Sequence, residues 1–151
     1  MEMIKIKEKV EKSIKHISEE FKENRALYLS ESDIKCRLFK LINLEEKYTK
    51  NGVNTYYIHT EVGLKGEGKN NKIDIYITKF DSLSLKKNRF NFESSDDIGI
   101  ELKYNYGQKT KKALLKELRK DKRLVNINVE YPYIVCFDHN GLLNEEDLKE
   151  F

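Results

Sequence analysis

The stretch DIGIELKYN, residues 97–105, has the two-residue period of a β-strand with one apolar face. Its apolar side chains are those of Ile98, Ile100, Leu102 and Tyr104. Glu101 and Lys103 alternate with them, so a carboxylate and an ammonium group are expected two positions apart on the opposite face. That face is either the ordinary solvated side of a half-buried strand or a place where a metal ion and a phosphate meet.

Two helices are predicted on the N-terminal side of this strand. The first 24 residues are predicted to form one amphipathic helix, because their apolar residues fall near helical spacing. These apolar residues are Ile4, Val10, Ile14, Ile17 and Phe21. A second helix is predicted over residues 31–44, because Ser30 with Asp33 three positions later has the pattern of a helix N-cap and an apolar stripe follows.

Extended segments lie on both sides of residues 97–105. Segments 53–62 and 72–80 are rich in β-branched and aromatic residues, and the glycine-rich segment between them suits a hairpin connection. A Lys-rich helix is predicted within residues 109–126, followed by a strand at 131–138 and a short terminal helix. Three consecutive strands, then a helix that crosses over to a fourth strand, indicate an α/β fold with a mixed central β-sheet flanked by helices.

The composition indicates one intracellular domain. A chain of 151 residues with 38% hydrophobic residues can bury one core, and its length favours a single domain over residues 1–151. The net charge of +3 is too small to indicate a polyanionic partner by itself. Cys36 and Cys136 form neither a CxxC pair nor a disulfide framework, and no apolar run has the length of a membrane span. A soluble, cytoplasmic protein with no membrane partner is expected.

The segment GLKGEGKN, residues 63–70, is close to the phosphate-binding loop GxxxxGK[ST] but lacks what that loop needs. Asn70 stands at the position of the hydroxyl that would hold magnesium. The following segment predicts a strand, whereas the loop must lead into a helix whose N-terminal amides bind phosphate. A plain glycine-rich turn is therefore predicted here.

Asp74 is the second carboxylate of interest. Because Ile73, Ile75 and Ile77 are predicted to share one face of their strand, Asp74 is expected on the polar face. If segments 72–80 and 97–104 pair as neighbours, Asp74 lies beside Glu101 and Lys103. Two carboxylates at this range suit a hard divalent cation such as Mg²⁺, and the ammonium group would orient water and offset phosphate charge.

Two further glutamates are candidates for the same place. Glu61 ends the preceding predicted strand and is expected to face the site as a metal ligand. Glu31 lies three and seven residues before Ile34 and Leu38, so it extends the buried stripe of the second helix at its first turn. For Glu31 the alternative is a carboxylate that only stabilises the helix N-terminus.

Asp74, followed by Glu101-Leu102-Lys103, resembles the D…[DE]xK core of the PD-(D/E)xK nuclease superfamily, which has the restriction-endonuclease-like fold. The resemblance covers roughly residues 28–138: a helix with an early glutamate, a β-meander that carries Asp and then ExK, and a basic helix that leads to another strand. Residues 1–27 lie outside it as an extra N-terminal helix.

The resemblance implies a mixed central sheet and magnesium-dependent cleavage of a phosphodiester, with Mn²⁺ expected to substitute. It implies Asp74 and Glu101 as metal ligands, Lys103 as the residue that places the attacking water, and Glu31 as the acidic residue that completes the site. Two departures are visible. Ile73 stands where the family has its name-giving proline, and the 26 residues between Asp74 and Glu101 include a long insertion.

Two basic clusters are candidates for DNA binding. The first combines cations with the aromatic rings of Phe90 and Phe92, and it contains Lys86, Lys87 and Arg89. The second lies at the start of the helix that follows the ExK strand, and it contains Gln108, Lys109, Lys111 and Lys112. Such residues would contact phosphates and carry little sequence information. A solvated charged surface is the alternative for each cluster.

The predicted function is a metal-dependent deoxyribonuclease that hydrolyses phosphodiester bonds of DNA. A homodimer is plausible, with the N-terminal helix as one candidate interface. The alternative from another class is a catalytically silent nucleic-acid-binding or structural subunit of a larger restriction, defence or repair assembly. A small-molecule enzyme that uses the carboxylate pair lacks a supporting signal such as a glycine-rich cofactor loop.

Overall fold

The computed structural model describes residues 2–44, 56–63, 72–79, 97–107 and 109–151. In these ranges it contains helices α1 (Glu2–Glu23), α2 (Glu31–Ile42), α3 (Lys111–Asn128) and α4 (Glu145–Leu148), a 3-10 turn at Arg25–Leu27, and strands β1 (Tyr56–Gly63), β2 (Lys72–Lys79), β3 (Asp97–Asn105) and β4 (Tyr131–Asp138). Each predicted helix and strand overlaps one of these elements. Residues 53–55 and Phe80, predicted as strand, lie outside the described residues.

The four strands form one mixed sheet in the order β1-β2-β3-β4. The β1–β2 and β2–β3 pairs are antiparallel, whereas β4 runs parallel to β3. A parallel pair needs a crossover connection, which α3 supplies. The chain is therefore a mixed α/β protein with a four-stranded sheet flanked by helices, as predicted. Segments 72–79 and 97–105 are neighbours, which is the pairing that the predicted site requires.

Helices cover both faces of the sheet. The apolar stripes of α1 and α2 form one core with β2, β3 and β4, and its fully buried members include Val10, Ile17, Ile34, Leu38, Ile75, Ile100 and Leu102. On the other face, Val125 and Val129 of the α3 segment pack against Tyr76. Most of the apolar stripe of α1 is buried in the chain's own core, whereas Ile4, which the sequence places in that stripe, is 61% exposed. In the described ranges, no helix is both long enough and apolar enough to cross a bilayer.

Helix α2 begins at the predicted residue and is fixed by its cap. The side chain of Ser30 accepts a hydrogen bond from the N–H of Asp33, and the Asp33 carboxylate accepts one from the N–H of Leu29. The cap sets the orientation of the first turn, which carries Glu31. The helix ends at Ile42, before the predicted end at residue 44, because Asn43 leaves the helical backbone conformation with φ 11° and ψ 83°.

One prediction about β2 is wrong. Ile75 and Ile77 lie in the core beneath α1 and α2, but Ile73 lies in the core on the α3 side. The three isoleucines therefore do not share a face. The alternation breaks at Asp74, because the regular pairing of β2 with both neighbouring strands is interrupted at that residue.

Gly99 provides a test of how closely the helix-α3 segment packs on β3. A Cβ atom at position 99 would lie 2.6 Å from Cγ2 of Val129 and 3.2 Å from Cγ1 of Val125. Because both neighbours are buried, the Gly99→Ala protein is expected to be less stable by about 1–3 kcal/mol. Urea unfolding measures the difference.

The control for this substitution is Gly63→Ala at the end of β1, where a new Cβ atom meets nothing within 4 Å. That protein is expected to unfold at nearly the wild-type urea concentration. Equal stability of the Gly99→Ala and wild-type proteins would contradict the close packing of Val129 on β3.

Candidate active site

The candidate site lies where the pairing of β2 is interrupted. The β2–β3 ladder ends at the pair Ile75 and Ile100, although β3 continues beyond it. The β1–β2 ladder does not include a pair between Glu61 and Asp74, and Glu61 has a φ of 55°, which residues other than glycine rarely adopt. Backbone groups next to such an interruption need other hydrogen-bond partners.

Side-chain carboxylates supply two of those partners. Oδ2 of Asp74 accepts a hydrogen bond from the N–H of Leu102 at 2.9 Å. In turn, the N–H of Asp74 donates to Oε2 of Glu101 at 3.4 Å. Each carboxylate thus binds the backbone of the opposite strand. The structure brings together Asp74 and Glu101, two of the three side chains predicted from the sequence as metal ligands.

Glu31 joins these two carboxylates from helix α2. Its Oε2 accepts a hydrogen bond from the N–H of Tyr104 at 3.2 Å. Tyr104 directly follows Lys103 in β3, so the first turn of α2 is tied to the ExK segment. Glu31 therefore lies at the predicted place, and its contact with the strand goes beyond a role at the helix N-terminus alone.

Burial and the nearby negative charges raise the pKa values of Glu101 and Glu31. Burial, followed by the charges of Asp74 and Asp121, raises the pKa of Glu101 to about 8. Burial and then the charge of Asp74 raise the pKa of Glu31. In both cases the folded protein disfavours the ionised form, and a cation bound beside the carboxylates would favour it.

Lys103 points toward helix α3. Its Nζ lies 3.2 Å from Oδ2 of Asp121 and 3.9 Å from Oε2 of Glu117, and its side chain is 19% exposed. Burial alone would lower the pKa of Lys103, but the negative charge of Asp121, together with those of Glu31 and Glu117, outweighs burial, so the pKa is raised. Lys103 is therefore a protonated ammonium group held beside Asp121, and it is a poor proton acceptor.

Asp121 was not identified from the sequence, although a signal exists. Leu114, Leu118 and Val125 form the buried stripe of α3, and Asp121 occupies a position of the same stripe. An acidic residue on such a stripe is buried and needs a cation, which is Lys103. Asp121 is only 7% exposed, and its carboxylate holds the ammonium group of Lys103 in position.

A second lysine at the site, Lys35 on α2, was also missed. Its Nζ forms an ion pair with Oε1 of Glu61 and lies 3.4 Å from Oδ1 of Asp74. Burial would lower the pKa of Lys35, but Glu61 and Asp74 together outweigh burial and raise it. The available signal was its spacing, since Lys35 follows Glu31 by one helical turn. In the structure, Glu61 is linked to Asp74 through Lys35.

The predicted DNA-binding residues that the structure describes do not share one environment. Lys109 forms an ion pair with Glu117 at 2.6 Å and so shares that carboxylate with Lys103. Lys111 instead contacts Asp147 at 2.6 Å, and Lys112 is exposed. The remaining residues of the two clusters lie outside the described residues; they are Lys86, Lys87, Arg89 and Gln108. Of the described members, Lys109 is the one that the structure links to the Lys103 ion-pair group.

The part of the chain that the structure describes contains no group of three or more His, Cys, Asp or Glu side chains arranged to hold a metal ion. Comparisons with protein-family models, curated proteins and solved structures found no match. The donor chemistry of the site nevertheless fits Mg²⁺ or Mn²⁺, because Asp74 and Glu101 offer carboxylate oxygens from adjacent strands.

Proposed function

We propose that the chain is a metal-dependent deoxyribonuclease of the PD-(D/E)xK type, with the restriction-endonuclease-like arrangement of its sheet. The observation that carries this proposal is the contact of Asp74 with Glu101 and Leu102 where the β2–β3 ladder ends. It brings the carboxylate of β2 to the ExK segment of β3. The order of strands, with the helix α3 crossover between β3 and β4, supports the same proposal.

Asp74 and Glu101 would hold Mg²⁺ or Mn²⁺. Such an ion, when bound, supplies Lewis acidity to a phosphate oxygen and lowers the pKa of a bound water. Lys103, kept protonated by Asp121, would donate hydrogen bonds to the attacking water or to the phosphate and would offset the negative charge of the phosphate. Glu31 fixes the ExK segment through the N–H of Tyr104. Attack of water at phosphorus with breakage of the P–O3′ bond leaves a 5′-phosphate and a 3′-hydroxyl.

A catalytically silent DNA-binding or structural subunit of a larger assembly is the second candidate. It is favoured by the internal ion pairs of the site, because Lys35 already neutralises Asp74 and Asp121 already neutralises Lys103. A silent module is expected to bind DNA equally with and without Mg²⁺. The enzyme is expected to require the metal for turnover.

Cleavage of supercoiled plasmid and branched DNA tests the proposal. The wild-type protein is incubated with Mg²⁺, Mn²⁺, Ca²⁺ or EDTA, and a mock preparation from cells that do not express the protein reports any contaminating nuclease. Cleavage by the wild-type protein with Mg²⁺ or Mn²⁺, and none with EDTA, is the expected result. DNA binding that is independent of metal, without cleavage of either substrate, would favour the silent subunit.

A further inference from the structure

Lys35 is positioned between two carboxylates of the candidate site. Its ammonium group contacts Glu61 on β1 and Oδ1 of Asp74 on β2. The other oxygen of Asp74, Oδ2, accepts the N–H of Leu102. Both oxygens of the proposed metal ligand are thus engaged within the chain, one by a cation and one by the backbone.

The two groups that contact the oxygens of Asp74 differ in how easily they can move away. The N–H of Leu102 belongs to a central strand and is fixed by the fold. The ammonium group of Lys35 is carried by a flexible four-carbon chain. Its other partner, Glu61, has a side chain that is 47% exposed at the first strand of the sheet, so Lys35 has a place to remain when it leaves Asp74. Oδ1 of Asp74 is therefore the oxygen that becomes available to a ligand.

We propose that Lys35 is the internal counter-cation of the site, and that a divalent cation binds by displacing the Lys35 ammonium group from Asp74 while Glu61 retains it nearby. This inference rests on the proposed metal site. Glu61 then holds Lys35, which differs from the role of metal ligand that is predicted for Glu61 from the sequence. Lys35 also sets the metal affinity of the site, because the incoming ion must compete with the positive charge of its ammonium group.

Isothermal titration of Mg²⁺ and Mn²⁺ tests the competition directly. The proteins are the wild type, Lys35→Met, Lys35→Arg, and Lys40→Met, which removes an exposed lysine from the same helix. Lys35→Met is expected to lower the Kd for Mg²⁺ about tenfold, because the competing charge is gone. Lys35→Arg keeps the charge, and Lys40→Met lies elsewhere on α2, so both are expected within about twofold of the wild type.

Thermal unfolding provides a second measurement without DNA. In EDTA, Lys35→Met is expected to unfold at a lower temperature than Lys40→Met, because Asp74 and Glu61 lose their cation. Saturating Mg²⁺ is expected to raise its Tm more than that of the wild type. If Lys35→Met does not fold, Lys35→Gln, which removes the charge but keeps a polar head group, replaces it in both experiments.

The outcomes separate the two proposals. A Kd for Lys35→Met equal to or weaker than that of a metal-binding wild type would overturn the counter-cation role and leave the nuclease proposal in place. Failure of all four proteins to bind Mg²⁺ and Mn²⁺ would overturn both. A lower Kd for Lys35→Met, with Lys35→Arg and Lys40→Met unchanged, supports the displacement of Lys35.

Discussion

Replacing Glu101 with glutamine is expected to abolish DNA cleavage and to make the protein more stable at high pH. Glutamine has nearly the same shape but no negative charge, so the proposed metal loses a ligand. Loss of one ligand is expected to lower the rate of cleavage by at least about a hundredfold. Single-turnover cleavage of a fluorescent oligonucleotide duplex in Mg²⁺ measures this effect.

The gain in stability follows from the pKa of Glu101. Burial and the charge of Asp74 raise it in the folded protein from 4.5 to about 8. A group whose pKa is raised by folding contributes to the free energy of unfolding. This contribution is fully present below the pKa of the unfolded state and is lost as the pH rises through the pKa of the folded state. Wild-type protein without metal therefore loses stability between about pH 5 and pH 8, on the order of a few kcal/mol, whereas Glu101→Gln does not.

Urea unfolding in EDTA at pH 5 and at pH 9 compares the two proteins. Glu101→Gln is expected to match the wild type at pH 5 and to exceed it at pH 9. Glu8→Gln, which changes an exposed glutamate on α1, is the matched control and is expected to alter neither cleavage nor the pH dependence. Undiminished cleavage by Glu101→Gln would show that Glu101 is not a metal ligand. An unchanged pH dependence would show that Glu101 is not held ionised against its surroundings.

Much of the fold follows from local sequence patterns. The alternation in residues 97–105 predicts a strand because side chains of a strand point alternately to its two faces, and Ile98, Ile100 and Leu102 lie together in one core. The residues between them, Asp97, Gly99 and Glu101, are buried as well, so the second face of β3 is not the solvated one that the alternation alone would suggest. The Ser30 cap predicts the start of α2 to the residue, because the cap and the helix share one local hydrogen-bond pattern. These signals depend on neighbours in the sequence.

The details of the site depend on contacts between distant segments. At Asp74, backbone pairing between β2 and β3 competes with hydrogen bonds from side chains. The outcome depends on both strands together, so the sequence of one segment does not predict it. The reversal of Ile73 follows from that competition. Lys35 and Asp121 come from helices on opposite faces, and their convergence on β2 and β3 requires the packing of both helices.

The substitution Lys103→Met is expected to lower cleavage roughly 100- to 1,000-fold while Mg²⁺ binding persists. Lys103 is a protonated ammonium group held 3.2 Å from Asp121, so its proposed role is to stabilise charge and orient water after the metal is bound. Methionine keeps the apolar stem that packs in the site and removes only the charge. Titration calorimetry and single-turnover cleavage measure the two effects separately. Lys116→Met is the control, because Lys116 is an exposed lysine of α3 that belongs to neither predicted DNA-binding cluster.

Substitution of Asp121, the ion-pair partner of Lys103, distinguishes a structural role of Lys103 from a catalytic one. Lys103→Met alone leaves the buried carboxylate of Asp121 without that cation, so it is expected to lower the free energy of unfolding at neutral pH. The double substitution Lys103→Met with Asp121→Asn removes both charges and is expected to recover most of this stability without recovering cleavage. Recovery of cleavage in the double variant would mean that Lys103 serves only to neutralise Asp121, and the residue that positions the water would then have to be sought among the remaining cations, beginning with Lys35.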